Sequence, residues 1–158
     1  FYKRYDFIPL EEEMNKNYRN EVHKMNYLSS EIDSLYHLSS LKFGISDSAS
    51  IVLYTIYDAG GECLLSHIYK TSGISKQTIN SAIRHLEAEH FINLKQMDGR
   101  SKMVSFTDEG ERFAENTVAR LFAAETGVFE SWTKEQVEIF MDLMEKYLDS
   151  FRKQIENL

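Results

Sequence analysis

One short segment breaks an otherwise helical pattern and restricts the folds open to this chain. In residues 92 to 106, apolar and polar residues alternate on both sides of a polar stretch that contains Asp98-Gly99. Such alternation around an Asp-Gly pair predicts two antiparallel strands joined by a tight turn. The whole chain has only one proline and seven glycines, and apolar residues elsewhere recur three or four positions apart. The sequence therefore predicts a mainly α fold with a small β-hairpin.

Two helices are predicted before the middle of the chain. A long amphipathic helix is expected from about Leu10 to Phe43, where the apolar spacing stops at Gly44. A second helix, with the nearly continuous apolar run "SIVLYTIY", begins near Ser46 or Asp47 and ends at the next pair of glycines. Its composition predicts burial.

A helix-turn-helix pattern follows. A short helix is predicted from about Leu64 to Thr71, and Ser75 then caps a helix that reads "ISKQTINSAIRHLEAEHFI". The tight turn between them contains Gly73. Because the hairpin comes directly after the second of these helices, the arrangement predicted is a winged helix-turn-helix.

Two more helices are predicted after the hairpin. Thr107 is the expected cap of a helix that reaches about Glu125, and Thr133 with Gln136 forms a capping box that opens the last helix. The apolar residues of that last helix recur at three- and four-residue spacing through to Leu158.

The helix that starts at Ser75 has an outward face suited to nucleic acid. Its side chains are short, polar or cationic, and no carboxylate occurs before Glu87. Such groups can offer donors and acceptors to base edges and phosphates in a major groove. The alternative is an ordinary solvated helix face. The candidate DNA-binding residues of this helix are Ser75, Lys76, Gln77, Thr78, Asn80, Ser81 and Arg84.

The hairpin tip offers further cations. Lys95, Arg100 and Lys102 flank the turn, and Asp98 precedes Arg100 by two residues. An arginine at such a tip can enter a narrow minor groove, and a nearby aspartate can hold its guanidinium extended. The alternative is that Asp98-Gly99 is only a turn and that Arg100 lies in water.

The charge distribution favours nucleic acid although the net charge of −7 does not. Residues 64 to 106 carry 6 Lys/Arg against 3 Asp/Glu, whereas residues 1 to 63 carry 6 against 10 and residues 107 to 158 carry 6 against 12. The pattern indicates a basic face held by acidic supporting elements.

These pieces together resemble the MarR family of bacterial transcription regulators over nearly the full length. The segment "SKQTINSAIRHLEAEHFI" resembles that family's recognition helix, "DGRSK" matches its Asp-x-Arg wing, and "SFTDEGERF" resembles its strand-to-helix exit. The resemblance implies an obligate homodimer in which the first and the last two helices of each chain intertwine. The apolar rows of the long first and last helices agree, since a monomer would leave them exposed.

On this reading the chain divides by role. Residues 10–43 and 107–158 are expected to form dimerisation helices, and residues 46–106 the DNA-binding region. A symmetric dimer would place two recognition helices about 34 Å apart and read a pseudo-palindromic site in double-stranded DNA.

A small-molecule effector site is a further expectation from the resemblance. Tyr36, His37, Tyr54 and Tyr57 are candidate lining residues of a cavity between the dimerisation and DNA-binding parts, although aromatic stripes are more often core.

The single cysteine, Cys63, is expected to be a buried or inert thiol, with redox sensing as the alternative. The five histidines form no compact ligand motif, so neither a metal site nor a cofactor is expected.

The leading functional hypothesis is a DNA-binding transcriptional regulator, a repressor more often than an activator, relieved by a small ligand. The alternative is a winged-helix scaffold for protein interaction, without an operator. A continuous positive stripe through Lys76, Arg84, Arg100 and Lys102 would favour DNA, and interruption by Glu87 or Glu89 the scaffold.

No phosphate loop, nucleophile elbow or metal motif favours an enzyme. The absence of any apolar run near 20 residues and the single cysteine lead us to expect a cytoplasmic protein without a membrane partner.

Overall fold

The computed structural model describes residues 18–158 of the chain, and within this range the fold has seven helices and three strands. In chain order the elements are α1 (Arg19–Phe43), α2 (Asp47–Asp58), β1 (Glu62–Leu64), α3 (Leu65–Thr71), α4 (Lys76–Ala88), β2 (Ile92–Gln96), β3 (Lys102–Phe106), α5 (Asp108–Asn116), α6 (Val118–Glu130) and α7 (Lys134–Glu156). The predicted fold, mainly α with a winged helix-turn-helix, is confirmed.

The long first helix ends where its sequence predicts. Gly44 has a φ of 72°, and its N–H donates to the carbonyl of Leu41 while the N–H of Ile45 donates to that of Ser40. A glycine with left-handed backbone lets the chain leave the helix without a Cβ penalty. The first part of the predicted helix, Leu10 to residue 17, lies outside the described residues.

Side-chain caps predict four helix starts, one of them at either Ser46 or Asp47, and the structure has a side-chain cap at each start, with Ser46 as the cap of α2. Ser46, Ser75, Thr107 and Thr133 each accept a hydrogen bond from the backbone N–H three residues further on. At Thr133 the Gln136 side chain also accepts from the cap's own N–H, which completes the predicted capping box.

One apolar core holds the helix-turn-helix against the sheet. Its fully buried side chains include Leu53 of α2, Ile68 of α3, Ile79 and Leu86 of α4, and Val104 of β3. Burial of each such side chain is worth about 1.5–3 kcal/mol. The recognition helix and the wing therefore share a single packed core.

The sheet has one strand more than the sequence predicted. The strand order is β1-β3-β2 with both pairings antiparallel, so Val104 lies opposite Cys63 on one side and Leu94 on the other. Strand β1 has three residues, too few to show an alternation of their own, and its pairing depends on a strand 40 residues away along the sequence. The extra strand pairs with the base of the wing, which is the hairpin formed by β2 and β3.

The helix predicted from Thr107 to about Glu125 is wrong as a single element. It breaks at Thr117, whose φ of −126° and ψ of −91° are not helical and whose hydroxyl donates to the carbonyl of Phe113 at 2.6 Å. A threonine hydroxyl can compete for backbone carbonyls in this way and weaken a helix locally. A separate helix, α6, then continues to Glu130.

Helix α5 is packed into the winged region. Gly110 is buried, and a Cβ on it would lie 1.7 Å from the carbonyl oxygen of Phe91. The rings of Phe91 and Phe113 stack with centroids 4.4 Å apart. These contacts join the end of the recognition helix to the helix that follows the wing.

Apolar rows on the outer helices have no cover within the described chain. Helix α7 has no buried residue, and Leu143, Leu148 and Phe151 on it are 51% or more exposed. On α1, Leu35 and Leu41 are 65% and 61% exposed. Patches of this kind are typical of an interface with another chain. No described helix is both long and apolar enough to span a membrane.

Candidate nucleic-acid interface

The recognition helix α4 separates apolar and polar residues onto opposite faces. Ile79, Ala82, Ile83 and Leu86 face the core and are buried. The outward residues predicted to meet DNA are all exposed: Ser75, Lys76, Gln77, Thr78, Asn80, Ser81 and Arg84. The first turn of α4 carries no acid. Its outward side chains are thus available to an anionic partner.

Tyr69 of α3 organises this face, and sequence reasoning missed it. Its hydroxyl donates to Oδ1 of Asn80 at 2.6 Å, and the Nζ atom of Lys76 lies 5.4 Å from the centroid of its ring. The hydrogen bond fixes the side-chain amide of Asn80 and leaves its Nδ2 group for a partner. No local pattern reveals this contact, because Tyr69 and Asn80 lie on different helices.

The wing tip is held by a side chain that sequence reasoning also missed. Nε2 of Gln96 donates to the carbonyl oxygens of Gly99 at 2.9 Å and Ser101 at 3.0 Å. Gly99 has a φ of 64°, and the N–H of Met97 donates to the carbonyl of Ser101 at 2.9 Å. The turn is therefore ordered by both backbone and side-chain hydrogen bonds.

The wing cations are exposed around this ordered tip. Lys95, Arg100 and Lys102 all face solvent, and Asp98 is exposed beside them. Within residues 18–158 no hydrogen bond or ion pair joins Asp98 to Arg100. The role of Asp98 as a support for Arg100 stays a prediction.

Cations from the helix and the wing meet in one groove of about 530 Å³. We call it the α4–wing groove: it is lined by Asn80 and Arg84 of α4, Arg100 and Lys102 of the wing side, and Tyr69 of α3. The remaining predicted residues are exposed but do not line it: Ser75, Lys76, Gln77, Thr78, Ser81, Lys95 and Asp98. Two consecutive elements, helix α4 and the hairpin that follows it, thus present positive charge to the same space.

Acidic residues lie close to these cations. Glu87 lines the same groove, whereas Glu89 is engaged by His85, with 3.5 Å between Oε1 and Nε2. The positive charges of helix and wing converge, but the surface between them is interrupted at Glu87.

A second cavity, of about 550 Å³, lies where α1, α2 and α6 meet. We call it the interhelix cavity, and its polar lining includes Tyr36 and His37 of α1, Tyr54 of α2 and Glu125 of α6. Tyr57, the fourth residue proposed for such a cavity, is not among the lining residues; its ring packs against Phe122, with centroids 5.9 Å apart. Glu125 was not singled out from the sequence.

The carboxylate of Glu125 joins two tyrosines. The hydroxyl of Tyr36 donates to Oε1 and that of Tyr54 donates to Oε2. The hydrogen bond to Glu125 raises the pKa of Tyr36 to about 12, and burial together with the same carboxylate raises the pKa of Tyr54 further. Both phenols therefore stay neutral at physiological pH, and one side chain of α6 ties α1 to α2.

A second link between α1 and α2 lies in the same cavity. Nδ1 of His37 lies 2.9 Å from Oδ2 and 3.1 Å from Oδ1 of Asp47, at the start of α2. The hydrogen bond to His37 holds the pKa of the Asp47 carboxyl below its ordinary value.

Cys63 is buried in the sheet, and burial raises the pKa of its thiol. A buried thiol with a raised pKa has little thiolate and is correspondingly unreactive. Among the described residues, no three His, Cys, Asp or Glu side chains are grouped so as to hold a metal ion.

Comparison with known proteins identifies a family to which the middle of the chain is similar. Residues 43–101 match the model of the MarR family, and no curated protein matches. Many solved structures share the fold. A MarR family regulator from Neisseria meningitidis has a TM-score of 0.68 at 17% identity, over 85% of this chain and 97% of that chain.

Two further similar structures concern DNA binding. MepR of S. aureus, solved as a complex with DNA, has a TM-score of 0.63 at 20% identity, over 86% of this chain and 99% of that chain. BpsR of Bordetella bronchiseptica, whose DNA binding is regulated by 6-hydroxynicotinic acid, has a TM-score of 0.59 at 17% identity, over 78% of this chain and 98% of that chain. The winged helix-turn-helix of this chain is thus similar to that of the MarR family over residues 43–101, and the whole fold is one that MarR-family transcriptional regulators share.

Proposed function

We propose that this protein is a sequence-specific DNA-binding transcriptional regulator, acting as a repressor. The observation that carries the proposal is the α4–wing groove, where Arg84 from the recognition helix and Arg100 and Lys102 from the wing side converge. An α-helix fits the major groove of DNA and a hairpin tip can reach the adjacent minor groove. The MepR structure, which contains DNA, supports the same use of the fold.

Within this proposal the two elements read DNA differently. Exposed side chains of α4, namely Gln77, Asn80, Ser81 and Arg84, are placed to meet base edges, and Ser75, Lys76 and Thr78 surround the helix N-terminus, where phosphates bind. On the wing, Arg100 is at the tip for the minor groove, while Lys95 and Lys102 neutralise phosphates. Asp98 would orient Arg100 when DNA is bound.

The regulator is proposed to act as a homodimer. The uncovered apolar rows of α1 and α7 are self-complementary candidates for an isologous interface, formed by the helices of residues 10–43 and 107–158. Residues 46–106 then form the reading head. Two heads about one helical turn apart, ~34 Å, would bind a pseudo-palindromic operator.

The interhelix cavity is the proposed effector site. Its walls come from α1, which carries an uncovered apolar row, and from α2, which packs against the recognition helix α4. A ligand bound there contacts both α1 of the dimerisation part and α2 of the DNA-binding part, so it can change the spacing of the two recognition helices in the dimer. A regulator of this fold whose DNA binding responds to a small molecule, BpsR, is consistent with this use.

A gel-shift experiment tests the proposal. The full chain is titrated against DNA from upstream of its own gene and against a shuffled duplex of equal length and composition. Salt-sensitive binding that prefers the genomic duplex is expected, since specific sites bind far more tightly than non-specific DNA. Equal, weak binding to both duplexes at physiological salt would exclude a sequence reader.

Two variants assign the elements. Arg84→Ala should change sequence preference, since one bidentate contact to a base contributes about 1–3 kcal/mol of discrimination. Arg100→Ala should weaken binding to the preferred duplex. The matched control is Lys134→Ala, which removes a cation from α7, where the side chain is 91% exposed and lies outside the groove. Unchanged affinity in Arg100→Ala would remove the wing from the mechanism.

One observation favours a second function, a scaffold for protein interaction. Glu87 lies in the α4–wing groove beside the cations, where it would repel phosphate. In that case the groove would pair with a partner surface of mixed charge, and neither duplex would bind. The same titration separates the two functions.

A further inference from the structure

The interhelix cavity has an electrostatic character that limits its ligands. Asp33, Asp47 and Glu125 all line it. Among the described residues, no lysine or arginine does so, and the only basic group in the lining, His37, is bound to Asp47. An anionic ligand would therefore lack a cationic partner and meet up to three carboxylates.

Two aromatic residues of the lining lie beside one of these carboxylates. Tyr36 and Tyr54 hold their hydroxyls on the two oxygens of Glu125, so both rings lie next to that carboxylate. Neutral aromatic rings attract a cation over their faces, more strongly where the pair is shielded from water. The volume of about 550 Å³ lies within the usual range of small-molecule sites.

We propose that the interhelix cavity binds a lipophilic organic cation, such as an ammonium or phosphonium that carries aromatic rings, and not an organic acid. The cation lies against the carboxylate of Glu125 and the rings of Tyr36 and Tyr54. This inference rests on the proposed function, because it gives the chemical class of the effector.

The same contacts connect binding to DNA release. Glu125 of α6 joins Tyr36 of α1 to Tyr54 of α2 through its two oxygens. A cation that takes one of these oxygens weakens the link between α1 and α2. Because α2 packs against α4, the position of the recognition helix then changes relative to α1.

The test uses two ions of the same shape and opposite charge. Tetraphenylphosphonium and tetraphenylborate are titrated into the full chain by isothermal calorimetry, in the absence of DNA. The phosphonium is expected to bind saturably, one per chain, and the borate at least tenfold more weakly. Borate binding as tight as the phosphonium would overturn the proposal.

Variants locate the site. Glu125→Gln should weaken phosphonium binding at least tenfold, whereas Glu130→Gln, an exposed position on the same helix outside the cavity, should leave it unchanged. Asp33→Asn, which breaks no hydrogen bond to a tyrosine, should weaken binding severalfold and serves if Glu125→Gln does not fold. Unaltered binding in both cavity variants would refute the assignment.

A parallel gel shift keeps the two proposals apart. Operator binding that the phosphonium reduces in the wild-type chain, and not in Glu125→Gln, is the expected result. Operator binding without phosphonium binding refutes the cation site and leaves the regulator standing. Phosphonium binding that needs Glu125, in a chain that binds no DNA, supports the cation site and refutes the regulator.

Discussion

Gly110 should be the least replaceable glycine in the described chain, because its Cβ position is occupied. A Cβ added there would lie 1.7 Å from the carbonyl oxygen of Phe91 and 2.7 Å from the carbonyl carbon. The same oxygen accepts the N–H of Thr107 at 3.1 Å. To relieve the clash, either Phe91 or α5 must shift by more than about 1 Å, since Cβ contacts under about 3 Å are essentially not tolerated.

The cost of Gly110→Ala can be worked out from these contacts. Forcing an extra carbon into a packed site costs about 1–3 kcal/mol, and losing the hydrogen bond from Thr107 costs about 1 kcal/mol more. The free energy of unfolding should therefore fall by about 2–4 kcal/mol. The matched control is Gly127→Ala in α6, where nothing lies within 4 Å of the added carbon and the helix should gain up to about 1 kcal/mol.

Urea unfolding followed by far-ultraviolet circular dichroism measures both variants. Each series is repeated at several protein concentrations, because the midpoint of a dimer depends on concentration. A stability of Gly110→Ala within about 0.5 kcal/mol of wild type would show that Phe91 and α5 move apart at little cost, and the packing argument would fail. Because Phe91 follows the recognition helix and α5 follows the wing, operator binding should weaken in the same variant.

Three further outcomes are expected. Glu87→Gln should raise operator affinity severalfold and steepen its salt dependence, because the substitution removes a carboxylate from the α4–wing groove. A gel-shift series at several salt concentrations checks this, and lower affinity would argue against DNA in the groove. Gln96→Ala should reduce operator affinity severalfold with little loss of stability, since the wing tip loses two side-chain hydrogen bonds. Amide hydrogen exchange at the wing tip should become faster, and unchanged slow exchange would show that Gln96 does not order the tip. Because the folded-state pKa of Tyr36 is raised from 10.0 to about 12, its stabilisation is present below about pH 10 and is lost as the pH rises through the folded value. Between about pH 10 and 12 the wild type should therefore lose more stability than Tyr36→Phe, measured by urea unfolding, and parallel losses would contradict the Tyr36–Glu125 link.

Features encoded by neighbouring residues could be predicted from the sequence. Capping depends on a side chain and a backbone N–H three residues on, so Ser75 and Thr133 mark their helices without any tertiary information. The hairpin around Asp98-Gly99 is equally local. The outward face of α4 follows from helical period alone, and its exposure agrees with that expectation.

Features that depend on distant pairings could not be predicted. Strand β1 forms because Cys63 lies opposite Val104, and three residues carry too little pattern to show it. The break at Thr117 has a different reason, because the contact of its hydroxyl with the carbonyl of Phe113 is local. Threonine also occurs inside helices, so the residue alone does not mark a break.

Two residues that escaped sequence reasoning, Tyr69 and Glu125, make contacts that are distant in sequence. Tyr69 acts on Asn80 from another helix, and Glu125 meets Tyr36 across 89 residues of sequence. Polar residues on a helix surface carry no sign of the partner they will meet. Three of the four proposed cavity residues do line the interhelix cavity. Tyr57, three residues after Tyr54, does not line it, although both rings pack against Phe122 with centroids 5.9 Å apart.

Helix α7, which has no buried residue, has a consequence for the amount of regulator a cell must hold. An isolated amphipathic helix in water gains little from propensity alone, so the order of α7 depends on what covers it. In the proposed homodimer that cover is a second copy, and folding is then linked to assembly by mass action. When growth dilutes the chain, the concentration of folded dimer able to bind DNA falls more steeply than the total concentration of the chain. Repression would then have a threshold in protein abundance, apart from any effector.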